Sequence, residues 1–169
     1  MEFPLLAKPW RDLSKYKEAR LREAMVEAQL AVEFLEEGLL RNAAGKAFQA
    51  WKAYMGYLLA DYREELKALF PGSRRIRLGE DVVEVDEVDV VISLVPTSRM
   101  AQLAAFLSER GVEDAAGLTA IALQLHKYQY NGPDPEGYFG DIPDDRTAAV
   151  FTCRIIAKLL PPEKRGICR

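Results

Sequence analysis

A chain of 169 residues, 49% of them apolar and 29% charged, can build one core that stands without a disulfide or a metal. Its formal charge of -3 argues against non-specific adhesion to nucleic acid or to an anionic membrane, because neither is drawn to an acidic surface. No stretch approaches about 18 uncharged apolar residues, so no membrane span is expected.

The N-terminal run Phe3-Pro4-Leu5-Leu6-Ala7 is too short for a signal peptide, and a cytoplasmic location is the expectation. Two cysteines, Cys153 and Cys168, are too few for a secreted disulfide framework. Two reduced thiols are expected. A bond between them is the alternative if the source is a hyperthermophile.

In chain order, the first helix opens near Ser14 and runs to about Glu37. Tyr16, Ala19, Ala24, Ala28, Ala31 and Leu35 line one side, and Gly38 is the stop. A second helix runs from near Asn42 to about Leu69, ended by Phe70-Pro71-Gly72. Its row of Gly45, Gln49, Ala53, Gly56 and Ala60 admits a close neighbour. A short turn at Gly38 makes the pair an antiparallel hairpin.

Residues 81–95 are rich in valine, which propensity alone assigns to a strand. Val85, Val88, Ile92 and Val95 nevertheless fit a helical face, and no partner strand is visible, so the expectation is helix. Pro96-Thr97 starts another helix, with Thr97 capping, through Met100, Leu103 and Leu107 to Gly111. A further helix covers about Glu113 to Tyr128. After a Pro/Gly-rich loop, a last helix is capped by Asp144 or Asp145 and ends before Pro161-Pro162. The fold class is therefore all-α: one domain, an antiparallel up-and-down helical bundle with its core at about 14–160.

Catalytic signatures are incomplete. Gly45-Lys46 superficially matches a phosphate loop, but Leu40 and Ala47 stand where glycine and a hydroxyl residue are needed. No serine nucleophile elbow exists. His126, the single histidine, has no ligand partner at three or four residues, and Leu123 replaces the glutamate of a Glu-x-x-His di-iron motif. No catalytic residue, metal or cofactor is implied. The acidic groups Asp86/Glu87/Asp89 and Asp141/Asp144/Asp145 read as solvated faces or caps, with a loose magnesium site as the alternative.

Two basic or polar constellations remain. Arg74, Arg75 and Arg77 follow a helix end, where a solvated turn is the plain reading and a phosphate or nucleic-acid contact the functional one. The stretch from Leu125 to Pro135 gathers His126, Tyr128, Tyr130, Asn131 and Asp134 beside a rigid turn. Loops held by proline and glycine fix side-chain geometry, as ligand sites require. Lys46, Gln49 and Lys52, at three-residue steps, share roughly one side of the second helix and could complete a ligand site with them. The competing readings are aromatic anchoring of a helix end and lysines that snorkel to solvent.

The helix Arg41-Asn42-Ala43-Ala44-Gly45-Lys46-Ala47-Phe48-Gln49-Ala50-Trp51-Lys52-Ala53, the turn Val95-Pro96-Thr97-Ser98-Arg99-Met100 and the Leu125-to-Pro135 segment together resemble archaeal PaREP-type proteins. Those proteins look like members of the HEPN-like group of helical nucleotide-binding domains. The resemblance spans roughly Lys15 to Leu160. It implies four core helices plus extras, commonly paired into homodimers, with relatives encoded beside small nucleotidyltransferases or acting as toxin components. Some of that group are ribonucleases with Arg, four to six residues, then His. Here the arginine positions hold Thr119, Ala120 and Ile121, so no ribonuclease assignment carries over. The implied function is a non-catalytic module for a nucleotide, nucleic acid or protein partner. The rivals are a hydrolase or ribonuclease pairing His126 with Asp134 or Asp145, and a partner subunit of a nucleotidyltransferase or toxin system.

Overall fold

In the computed structural model, α1 (Leu13–Glu36) and α2 (Leu40–Ala60) pair along their whole length as an antiparallel hairpin. The structure describes residues 7–169; most of the N-terminal apolar run read above lies in residues 1–6, outside them. The cap of α1 is Asp12 rather than Ser14, its carboxylate accepting from the Lys15 N–H at 2.9 Å. At the other end Gly38 takes φ +73, and the Gly38 and Leu39 N–H groups bond back to Leu35 and Phe34. That double bond pattern is a Schellman stop, and it turns the chain directly into α2.

The second helix is shorter than its periodicity suggests. Asp61 and Tyr62 bond to carbonyls three residues back, which tightens and ends α2. A separate turn, α3 (Arg63–Leu66), follows.

The valine-rich stretch corrects the all-helix expectation for residues 81–95. Its first half is a strand, β2 (Asp81–Asp86), paired antiparallel with β1 (Ser73–Leu78), and only Glu87–Leu94 is helix, α4. The missing partner strand is the arginine-rich segment immediately before it. Leu78 pairs with Asp81 across a two-residue Gly79-Glu80 turn, and Gly79 supplies the positive φ that such a turn needs. The hairpin is the one sheet among the described residues, so the architecture remains all-α.

Val95 then adopts a left-handed conformation, φ 40, and the chain bends by 104° into a 3-10 turn (Thr97–Arg99) and α5 (Met100–Glu109). Thr97 makes no side-chain cap bond, contrary to expectation. The sequence continues with α6 (Ala115–Asn131) and α7 (Asp145–Leu159), the latter capped by Asp144 accepting from Thr147 N–H at 2.7 Å. Among the described residues no single helix is long and apolar enough to cross a membrane.

Helices α1, α2, α6 and α7 enclose one core, with Tyr16, Phe48, Trp51, Met55 and Leu125 fully buried. Trp51 donates its indole N–H to Thr119 Oγ1 at 2.8 Å, so the largest core side chain is polar-satisfied as well as packed. Truncating such a residue costs about 3–5 kcal/mol.

The C-terminal segment doubles back at Pro161. Arg165 donates to the Ala157 and Leu160 carbonyls, both at 2.9 Å, and Gly166 lies against Val32 and Glu36 of α1. Cys153 on α7 and Cys168 in this returning segment are joined by a disulfide, which corrects the expectation of two reduced thiols. The backbone return brings them together across 15 residues.

Candidate functional site

One face of α2 is flanked by α1 and α6, and it gathers half-buried polar groups. Gly45 leaves room for Gln129 of α6, because a Cβ there would sit 2.6 Å from its amide. Gly56 does the same for Tyr16 of α1, whose hydroxyl donates to the Ile92 carbonyl at 2.6 Å. The row of small residues thus admits neighbouring side chains, as its spacing suggests.

Between those glycines, Lys46 Nζ lies 2.9 Å from Glu27 Oε2 of α1. The contact is an ion pair by distance, while its angles fall outside hydrogen-bond geometry. Arg20, also on α1, bonds Glu23 at 2.6 Å, the Tyr16 hydroxyl at 3.0 Å and the Ser93 carbonyl. Lys52 has no ion pair or hydrogen bond among the described residues. Burial and then the neighbouring Arg20 lower its pKa from the ordinary lysine value, while Glu23 acts in the opposite direction. A cation that is partly desolvated and faces another cation favours an anion beside it. Gln49 is exposed on the same face.

From α6, His126 stacks on Phe48 with ring centroids 4.2 Å apart and meets Tyr130 edge-on at 5.3 Å. Its Nδ1 is buried without a hydrogen-bond partner among the described residues. Burial, then the positive charge of Lys52, lower its pKa, so the imidazole is neutral near pH 7. Tyr130 is 65% exposed.

The structure thus sets Lys52 near His126 and His126 against Tyr130, carries Lys46 and Gln49 on the same helix as Lys52, and places three other candidates elsewhere. Tyr128 is buried and donates to Asp145 Oδ1 at 2.6 Å; burial and that carboxylate push its pKa up. Asn131 donates to the Phe139 carbonyl. Asp134 accepts from the N–H groups of Phe139, Gly140 and Gly137, which hold its pKa low and brace the 132–143 loop. Both carboxylates offered as partners for His126 are therefore engaged elsewhere.

The arginines of the hairpin do not converge as a phosphate fork. Arg74 forms an ion pair with Glu87, while Arg75 and Arg77 are exposed on β1 opposite Glu84 and Val82. No group of three or more potential metal-ligating side chains is present among the described residues.

Sequence reading missed Arg20, Glu23 and Glu27, the α1 wall of the site. Their successive steps of three and four residues were the available signal. It also missed Arg41, which donates to the Gln129 and Tyr130 carbonyls and so caps the C-terminal end of α6 beside a shallow depression of about 340 Å³ next to Tyr128 and Asp145.

Comparison with known proteins finds no curated protein and no solved structure that matches the chain. Residues 19–150, which include α2 through α6 and most of α1, match the family described as the archaeal PaREP1/PaREP8 family. That match takes in every segment on which the resemblance was drawn, and the chain belongs to the archaeal PaREP1/PaREP8 family.

Proposed function

We propose that the α2 face is a binding site for a phosphate-bearing ligand of the nucleotide class, and that the protein acts through it as a non-catalytic module. The observation that carries this reading is Lys52: an ammonium group partly withdrawn from water, without a hydrogen bond or ion pair among the described residues, and set near the Arg20–Glu23 pair. Phosphate oxygens would satisfy it. The exposed Gln49 amide offers hydrogen bonds, and the exposed ring of Tyr130 offers a stacking surface for a base. The reading leaves no acid–base pair for His126, since Asp134 and Asp145 serve the loop and Tyr128.

Isothermal titration with adenosine, AMP, ADP and ATP tests it. Binding is expected to strengthen with phosphate number, to weaken as salt rises, and to fall about tenfold or more in Lys52→Ala. Equal binding of adenosine and ATP, or no heat with any of them, contradicts it. RNA cleavage that disappears in His126→Ala would replace it with the enzyme reading.

A further inference from the structure

The chain's charge is unevenly placed. Residues 146–169 hold six Lys or Arg and one Glu, whereas residues 1–145 hold seventeen Lys or Arg and twenty-five Asp or Glu. The basic segment is α7 and the returning C-terminal stretch, which together form a groove of about 420 Å³. Its apolar lining comes from Val150, Cys153, Ala157 and Ile167, and Arg146, Arg154 and Arg169 stand around it. Val150 is 53% and Ile167 62% exposed, so the floor faces solvent.

We infer that this groove docks an acidic amphipathic helical segment of a protein partner. Charge complementarity selects the sign: three guanidinium groups on an otherwise acidic molecule favour carboxylates at the rim. The apolar floor selects the form. Arg146, Val150 and Arg154 rise along one row of α7 over two helical turns, about 12 Å, a span that a helix laid in a groove matches with apolar anchors flanked by acids. A second copy using the same strip is disfavoured, since a two-fold axis at Val150 sets Arg146 of one copy against Arg154 of the other. Nucleic acid contacts would not need the floor at all.

The disulfide has a part in this surface. Cys168 ties the Ile167 wall to Cys153 on the floor, so opening the bond frees one side of the groove.

The test uses the full chain under non-reducing conditions and a fluorescent synthetic helix of roughly 16 residues, leucine on one face and glutamate on the other. The control has lysine for every glutamate. Saturable anisotropy change is expected with the glutamate peptide only, weakened about tenfold or more in Arg154→Glu and in Val150→Asp. Both positions are exposed, so circular dichroism should be unchanged. The double variant Arg146→Glu/Arg154→Glu should instead bind the lysine peptide, and Cys168→Ser should weaken the glutamate peptide while remaining folded. Equal affinity for both peptides, no binding, or glutamate-peptide binding untouched by these variants overturns the inference. So does preferential binding to anionic vesicles or single-stranded RNA, or a dimer in sedimentation equilibrium that Val150→Asp dissociates.

Discussion

Arg63 and Asp89 join the end of the first helical hairpin to the start of α4 through two parallel hydrogen bonds, Nε to Oδ1 at 2.7 Å and Nη2 to Oδ2 at 2.8 Å. The Asp89 side chain is only 2% exposed, and Arg63 also reaches Asp86 at 3.1 Å and Glu64 at 2.6 Å. The Asp89 hydrogen bond, foremost among these carboxylate contacts, raises the pKa of Arg63. This cluster is where α3, β2 and α4 are held in register.

Removing the arginine alone leaves a buried carboxylate without its partner. Arg63→Ala is expected to cost about 3–5 kcal/mol in urea unfolding. The double change Arg63→Met/Asp89→Leu should restore most of it, because the desolvation cost leaves with both charges. A single-variant cost equal to that of the double would show that the pairing contributes little.

Gly56 tests the close approach of α1. A Cβ there would sit 2.8 Å from the Tyr16 hydroxyl, which is tied to the Ile92 carbonyl and to Arg20. Gly56→Ala should therefore destabilise by about 1–3 kcal/mol despite the better helix propensity of alanine. In Gly56→Ala/Tyr16→Phe the penalty should shrink, and comparing the unfolding curves decides it.

Much of this fold was legible. The alanine row of α1, the Gly38 stop and the Asp144 cap each declare themselves locally, because helix periodicity and capping are short-range physics. The hairpin was misread because Val88, Ile92 and Val95 belong to a real helix that begins at Glu87, and their spacing extended the helix reading backwards over β2. Arg-Ile-Arg-Leu followed by Gly-Glu was the overlooked signal of a strand and a two-residue turn. In the candidate site, α2 and His126 were readable, whereas Tyr128, Asn131 and Asp134 were grouped with them by nearness in sequence. Helical rotation and the loop send those three elsewhere.

Cys153 and Cys168 close a loop of 15 residues, for which chain entropy gives about 3 kcal/mol. Reduction should lower Tm by roughly 6–12 °C for a chain of this size, and Cys168→Ser should show the lower value with no further response to reductant. A Tm indifferent to reductant would mean that the bond does not restrain the unfolded chain.

His126 makes stability pH-dependent with a defined sign. Its folded pKa lies below the ordinary value of 6.5, so the unfolded chain takes up the proton first. Its contribution is complete above about pH 6.5 and falls as pH drops towards the lowered folded value. Asp86, Asp134 and Asp144 have folded pKa values below 3.8, and what they contribute fades only as pH falls through those lower values. Melting at about pH 8 and about pH 5 should show a drop that His126→Gln reduces; an identical drop in both proteins refutes this assignment.

Lys52 offers the most direct test, since a cation held partly out of water should weigh against folding unless an anion repays it. Its lowered pKa means that, at neutral pH, the charged lysine is less comfortable in the folded protein than in the unfolded chain. The measurement is Tm of the wild type and of Lys52→Met, each with and without millimolar ATP. The account predicts that Lys52→Met melts higher than the wild type without ligand and rises less with ATP than the wild type does. A variant that melts lower, or that keeps the full ATP shift, would contradict it.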